Sequence, residues 1–207
     1  MIPVFNDPVE CIEHINIWER PVVFVEGARR VGKGWVIENV LKRRMAPQLA
    51  LDGGRFFRYK TALDWYSDHK DPKSGLVDPK TSPGELDVTQ ASIWVMESLV
   101  QMPRREDLIV FDRSYPTSFV FNYLGKMNES VGLKRFEMWW SLARQLEAAV
   151  IFVTASIGTL EKRGRLWNPQ LDGMDLLTEQ DKFRRSFNMM LNGEHGELKI
   201  VELVNNG

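Results

Sequence analysis

Between Val22 and Trp35 the chain reads Val-Val-Phe-Val-Glu-Gly-Ala-Arg-Arg-Val-Gly-Lys-Gly-Trp, and no other stretch narrows the fold so far. The apolar run from Val22 to Val25 has the unbroken character of a strand covered on both faces by helices. It leads into Gly27 and Gly32, and helical periodicity is expected from Gly32 to Met45. Strand, glycine turn and helix in this order, with G-x-x-x-x-G-K across the turn, form a loop whose backbone N–H groups converge on a phosphate at the positive end of a helix. Glycines stand at both ends because the backbone must curl tightly there. The candidate phosphate-binding residues are Gly27, Ala28, Arg29, Arg30, Val31, Gly32, Lys33, Gly34 and Trp35, with Lys33 reaching the terminal phosphates as a point charge. One residue departs from the usual pattern. Gly34 follows the lysine, where a Ser or Thr hydroxyl ordinarily helps hold magnesium. Turns of the adenylate-kinase kind also read Gly-Lys-Gly but continue with Thr, and here Trp35 follows.

Further strands are expected at Leu108 to Phe111, Val150 to Val153 and Ile200 to Val204, with a weaker one at Arg55 to Tyr59. Helical stretches lie between them: Val88 to Met102, a long one from about Thr117 to Glu147 broken near Gly125 to Gly132, and Leu176 to Leu191. This alternation predicts an α/β fold of three layers, about five parallel strands flanked by helices. A chain of 207 residues suits one domain, 1–207, with a substrate loop at about 68–87, rich in proline.

Composition excludes several classes. With 27 Lys and Arg against 28 Asp and Glu, the net charge of −1 lacks the bulk basic excess of a protein that grips nucleic acid by charge alone. The single cysteine, Cys11, cannot form an internal disulfide and suits a reducing cytoplasm, or a host cytoplasm if the chain is viral. No run approaches a membrane span and no leader is expected. His14, His69 and His195 lack the spacing of a metal site or a triad. Phe183, Phe187, Met189, Met190, Trp139 and Trp140 are expected in the core.

A second site motif closes the strand at Leu108 to Phe111, which ends in Asp112-Arg113-Ser114-Tyr115. An acidic residue at the carboxyl tip of a strand beside the phosphate turn lies where open α/β sheets bind ligands. FVEGARRVGK, followed by FDRSYPTSFVFNYL and then by LEKRGRLWNP and QDKFRRSFNMML, resembles the thymidylate kinase and deoxynucleoside kinase superfamily over most of the chain, in order. The resemblance implies ATP as donor, magnesium ordered by Asp112, Arg113 on the acceptor, and a lid at about 156–175 whose Arg163 and Arg165 close over the transferring phosphoryl group. Lid arginines suit that chemistry, which is positioning plus neutralisation of phosphoryl oxygens.

The acceptor is where readings diverge. Gln90 resembles the glutamine that deoxynucleoside kinases place against the base, since a side-chain amide matches a pyrimidine edge. Family members that phosphorylate a sugar hydroxyl carry a Glu after the second strand, and thymidylate kinases carry an Arg that grips a monophosphate. Here Arg58 or Lys60 fits a phosphate acceptor, and Asp64 could deprotonate a hydroxyl. The first expectation is therefore conversion of a pyrimidine deoxynucleoside monophosphate to its diphosphate. The competitor is phosphorylation of a hydroxyl, on a nucleoside or on a hydroxymethylated pyrimidine within DNA, as in phage-encoded enzymes of this group. Trp65 and Trp94 neighbour the site elements and could stack on a base. A nucleotide-binding switch module and a silent kinase relative, the latter motivated by Gly34 and Trp35, complete the alternatives. A homodimer is compatible with all of them.

Overall fold

In a computed structural model the chain is described over residues 2–60, 107–167, 173–193 and 195–207. Six strands form one parallel sheet in the order β1-β6-β5-β2-β4-β3, with β1 Val4–Phe5, β2 Val22–Glu26, β3 Phe56–Lys60, β4 Leu108–Asp112, β5 Ala149–Thr154 and β6 Lys199–Val204. The five expected strands are present. The sixth, β1, corrects the expected count. Two residues cannot show a period, and β1 is held at the sheet's edge by its pairing with Glu202 and Leu203 of β6, with Phe5 packed against the core.

Helices cover both faces. Helix α1, Pro8–Ile15, also escaped the sequence reading, although its start is well marked. Asp7 caps it by accepting from the Val9 N–H at 2.6 Å, Pro8 opens the first turn, and Cys11, Ile12 and Ile15 line the buried side. After the glycine turn, Lys33–Trp35, a π-helical stretch Val36–Lys42 and Arg43–Leu51 run on from one another as α2. The expected long helix divides into α3, Tyr115–Asn122, and α4, Glu129–Gln145. Gly125 makes the break at φ +75°, whereas Gly132 lies inside α4 because any Cβ there would meet the Tyr123 ring at 2.3 Å. Helix α5, Ile157–Trp167, and helix α6, Gly173–Leu191, follow β5.

Alternation along β2 assigns its two faces. Val22 and Phe24 join an aromatic core with Phe119, Phe136, Trp139, Trp140, Phe183, Phe187 and Met190 from α3, α4 and α6. Val23 and Val25 join an aliphatic core with residues of α1 and α2 such as Ile15, Val36, Ile37 and Leu41. Two such cores on one parallel sheet give the three layers, and truncating a fully buried Trp139 to Ala should cost about 3–5 kcal/mol. Every strand pairing is parallel. All carboxyl ends therefore open on one edge, and β2 lies there with β4 on one side and β5 on the other. Among the described residues no helix is long and apolar enough to cross a membrane.

Candidate active site

The glycine turn leaves β2 at this edge. Gly27 has φ +140°, and a Cβ there would lie 2.3 Å from the Val153 carbonyl oxygen of β5. Gly32 has φ +90°, and its Cβ would fall 2.3 Å from Nδ2 of Asn205. Only glycine fits either place. Asn205 is buried at the carboxyl end of β6 and donates to the Val31 carbonyl at 3.0 Å, so the far side of the sheet props the turn.

Lys33 is almost wholly buried, and its Nζ donates to the carbonyls of Gly27 at 2.9 Å and Ala28 at 2.5 Å. Burial, and then the Arg113 charge, push its ammonium down to about 7, with Asp112, Glu26 and Glu179 opposing. Glu26, the last residue of β2, is fully buried beside the turn. It accepts from the Ser114 and Thr117 hydroxyls, each at 2.6 Å, and burial raises its carboxyl against the pull of those bonds, Arg113 and Lys33.

Asp112 and Arg113 occupy the tip of β4. Arg113 takes φ +74° and Arg30, in the turn, takes +63°. A non-glycine residue there is strained, and such strain persists where the surroundings impose it, commonly at functional sites. Arg113 is deeply placed, and desolvation lowers its guanidinium below the usual range while Glu26, Asp112 and Glu179 draw it back. Arg58 of β3 donates through Nη1 to Glu38 of α2 at 2.8 Å and through Nη2 to Asp112. Arg29 turns from the loop to Glu179 of α6, where its Nε donates at 2.8 Å and its backbone N–H at 3.2 Å. From α5, Arg163 donates to the Arg30 carbonyl at 3.3 Å and to the Gly207 carbonyl at 2.8 Å, so α5 reaches the turn.

Lys33, Asp112, Arg113, Arg58 and Arg163 thus come together at one edge of the sheet, and Trp35 stands half-exposed at the start of α2. Lys60 ends β3 and Arg165 lies in α5, and their side chains fall outside the described residues, as do Asp64, Trp65, Gln90, Trp94, the expected substrate loop and the expected helix from Val88 to Met102. Sequence reasoning gave no role to Glu26, Glu179, Glu38 or Asn205. Glu26 carried a signal, a charge closing a run of four apolar strand residues. The other three act across elements distant in the chain.

The resemblance implies a magnesium ion, which can be tested against these donors. Position 34 has no side chain, the Asp112 carboxylate accepts from Arg58, and Glu26 is sealed by two hydroxyls. Among the described residues no three His, Cys, Asp or Glu side chains form a group that could hold a metal. The residues present do not fit a magnesium ligated by the protein in the usual place.

No family model matches the chain, and no curated protein does. Solved structures do resemble it. The YorR protein of Bacillus subtilis, in complex with phosphorylated GDP, is 11% identical with a TM-score of 0.53, over 89% of this chain and 85% of that one. Polyphosphate kinase 2 of Arthrobacter aurescens TC1 is 14% identical with a TM-score of 0.50, over 95% of this chain and 73% of that one. Thymidylate kinase of Candida albicans is 13% identical with a TM-score of 0.48, over 91% and 86%. At such identity the first two establish the fold, and the chain has the P-loop kinase fold.

Proposed function

We propose that the chain is a phosphotransferase that moves the terminal phosphoryl group of ATP to a deoxynucleotide, taking a pyrimidine deoxynucleoside monophosphate to the diphosphate. The observation that carries this reading is the convergence of Lys33, Arg113 and Arg163 on a glycine turn that only glycine can build. The neighbours bound to phosphorylated GDP or named for polyphosphate transfer support it through their shared fold.

The turn's backbone would hold the donor's phosphates. Lys33 would exchange the carbonyls of Gly27 and Ala28 for phosphate oxygens, a trade from neutral acceptors to charged ones that strengthens each bond. Arg113 and Arg163 would neutralise the equatorial oxygens of the transferring group, and the lid formed by α5 would exclude water. Gln90, Trp65 and Trp94 are proposed for the base.

Phosphorylation of a hydroxyl is the second reading, and one observation favours it. Arg58, expected to grip an acceptor's phosphate, is instead held by Asp112 and Glu38 beside Gly34 of the donor turn. With a hydroxyl acceptor, Asp64 is the proposed base. A panel of deoxynucleoside monophosphates, nucleosides and hydroxymethylated DNA, scored by transfer of labelled phosphate from ATP, separates the two. Lys33→Ala and Asp112→Asn should each lower transfer by about 100-fold or more. Unchanged transfer in both variants would refute the phosphotransferase reading.

A further inference from the structure

In most glycine turns of this type the residue after the lysine and an acidic side chain at the tip of the neighbouring strand lie on either side of a divalent cation. In this chain the corresponding places are Gly34 and Asp112, and a side chain already lies between them. Nη2 of Arg58 is bonded to the Asp112 carboxylate and lies 3.6 Å from where a Cβ would stand at Gly34. Nη1 is bonded to Glu38, one turn into α2. The guanidinium therefore spans from the first turns of α2 to the tip of β4.

Three features single out this placement. Position 34 supplies no side-chain oxygen, so no hydroxyl there calls a metal in. A cation bridging from position 34 to Asp112 would share the guanidinium's space at like charge, which is repulsive at any dielectric. The Nε of Arg58 is buried and meets no acceptor among the described residues, so Glu38 and Asp112 do not satisfy the guanidinium completely. The first follows from Gly34 and the other two from Arg58, and together they describe a cation that is covalently part of the protein.

We infer that Arg58 is the built-in cation of the donor site, standing at the terminal phosphates of ATP where related turns hold a divalent ion. The assignment rests on the phosphotransferase reading above. A guanidinium suits the task because it stays charged, and of its five N–H donors Glu38 and Asp112 take two. Glu38 and Asp112 fix its orientation before the nucleotide arrives, which removes much of the ordering cost of binding. Its single charge is half that of the ion it replaces, and Lys33, Arg113 and Arg163 stand close enough to the turn to cover the difference. Binding of the triphosphate should consequently not require a divalent metal.

The test is titration calorimetry of the full chain with ATP, once in EDTA and once in excess magnesium chloride, for the unaltered protein, Arg58→Met and Arg58→Lys. The unaltered protein should bind ATP with dissociation constants that agree within about threefold in the two buffers, Arg58→Met should bind at least about tenfold more weakly in EDTA, and Arg58→Lys should recover part of that loss. Binding that is tenfold or more tighter in magnesium overturns the inference and leaves the phosphotransferase reading standing. Metal-independent binding that survives Arg58→Met overturns the assignment to Arg58. Absence of ATP binding in both buffers overturns the phosphotransferase reading and the inference with it. The comparison of buffers uses the unaltered protein, so it holds even if a variant fails to fold.

Discussion

Lys33 pairs a charge-bearing side chain with a site that disfavours charge until a phosphate arrives. Its ammonium is pushed down to about 7 by burial and by Arg113, so above that pH the unliganded site holds it largely neutral. A bound polyphosphate restores the proton, because charge-assisted bonds favour the ammonium. The sign follows: above about pH 7 binding takes up a proton, so affinity falls as pH rises, and below it Lys33 contributes no pH dependence. Calorimetry at about pH 8.5, in buffers of different ionisation enthalpy, should show uptake of about one proton per ATP. Lys33→Arg, which stays charged, should abolish that uptake. Equal uptake in both proteins would place the linked proton elsewhere. Folding carries the same linkage in the other direction, since a lysine depressed in the folded state destabilises it below about pH 7 and ceases to do so as pH rises past the ordinary lysine range.

Among the elements, β2 and α3 are joined by Glu26, which closes the strand and receives hydroxyl bonds from Ser114 and Thr117 at the start of the helix. Its carboxyl is raised above the usual value by burial. A raised acid contributes stability that is whole below its unfolded value and is lost as pH rises through the folded one. Glu26→Gln keeps the shape and fixes the neutral form. Its cost in urea unfolding should therefore fall as pH rises above the ordinary carboxylate range. A cost that grows with pH would mean that the ionised carboxylate is the stabilising form. The elements themselves were largely legible, because strands covered on both faces must be apolar throughout and Val22 to Val25 or Val150 to Val153 can be little else. The edge was not: β1 has two residues and gains its place by pairing with β6, an interaction that no local pattern records. Within the site the glycines and Lys33 were legible because backbone geometry dictates them. Arg58 was legible as a cation and not in its orientation, since Glu38 and Asp112 lie 20 and 54 residues away from it in the chain.

Across the whole molecule, near-neutral charge conceals a concentrated site, and the structure sharpens what kind of site it is. The arginines at this edge are met by carboxylates: Arg29 by Glu179, Arg58 by Glu38 and Asp112, and Arg113 by the fields of Glu26, Asp112 and Glu179. Such a balanced array holds its geometry without ligand and depends on what ties its parts together. Much of that tie comes from the last residues of the chain. Asn205 bonds the Val31 carbonyl, the Asn206 side chain accepts from the Ser156 N–H at 2.8 Å, and the Gly207 carbonyl accepts from Arg163. Turn, β5 end and α5 are thereby linked by residues that follow β6 and add little to either core. Removing residues 205–207 should leave the cores intact, with a loss of stability of about 2–5 kcal/mol from the broken bonds, which include that of the Asn205 N–H to the Thr154 carbonyl. The same truncation should weaken ATP binding by at least about tenfold, since a turn without its prop must be ordered by the ligand itself. Hydrogen exchange supplies the local readout: amides of residues 27–33 should exchange faster in the truncated chain while those of β4 and β5 keep their protection. Equal loss of protection in the strands would show that the tail supports the whole fold, and unchanged exchange in the turn would show that it supports neither.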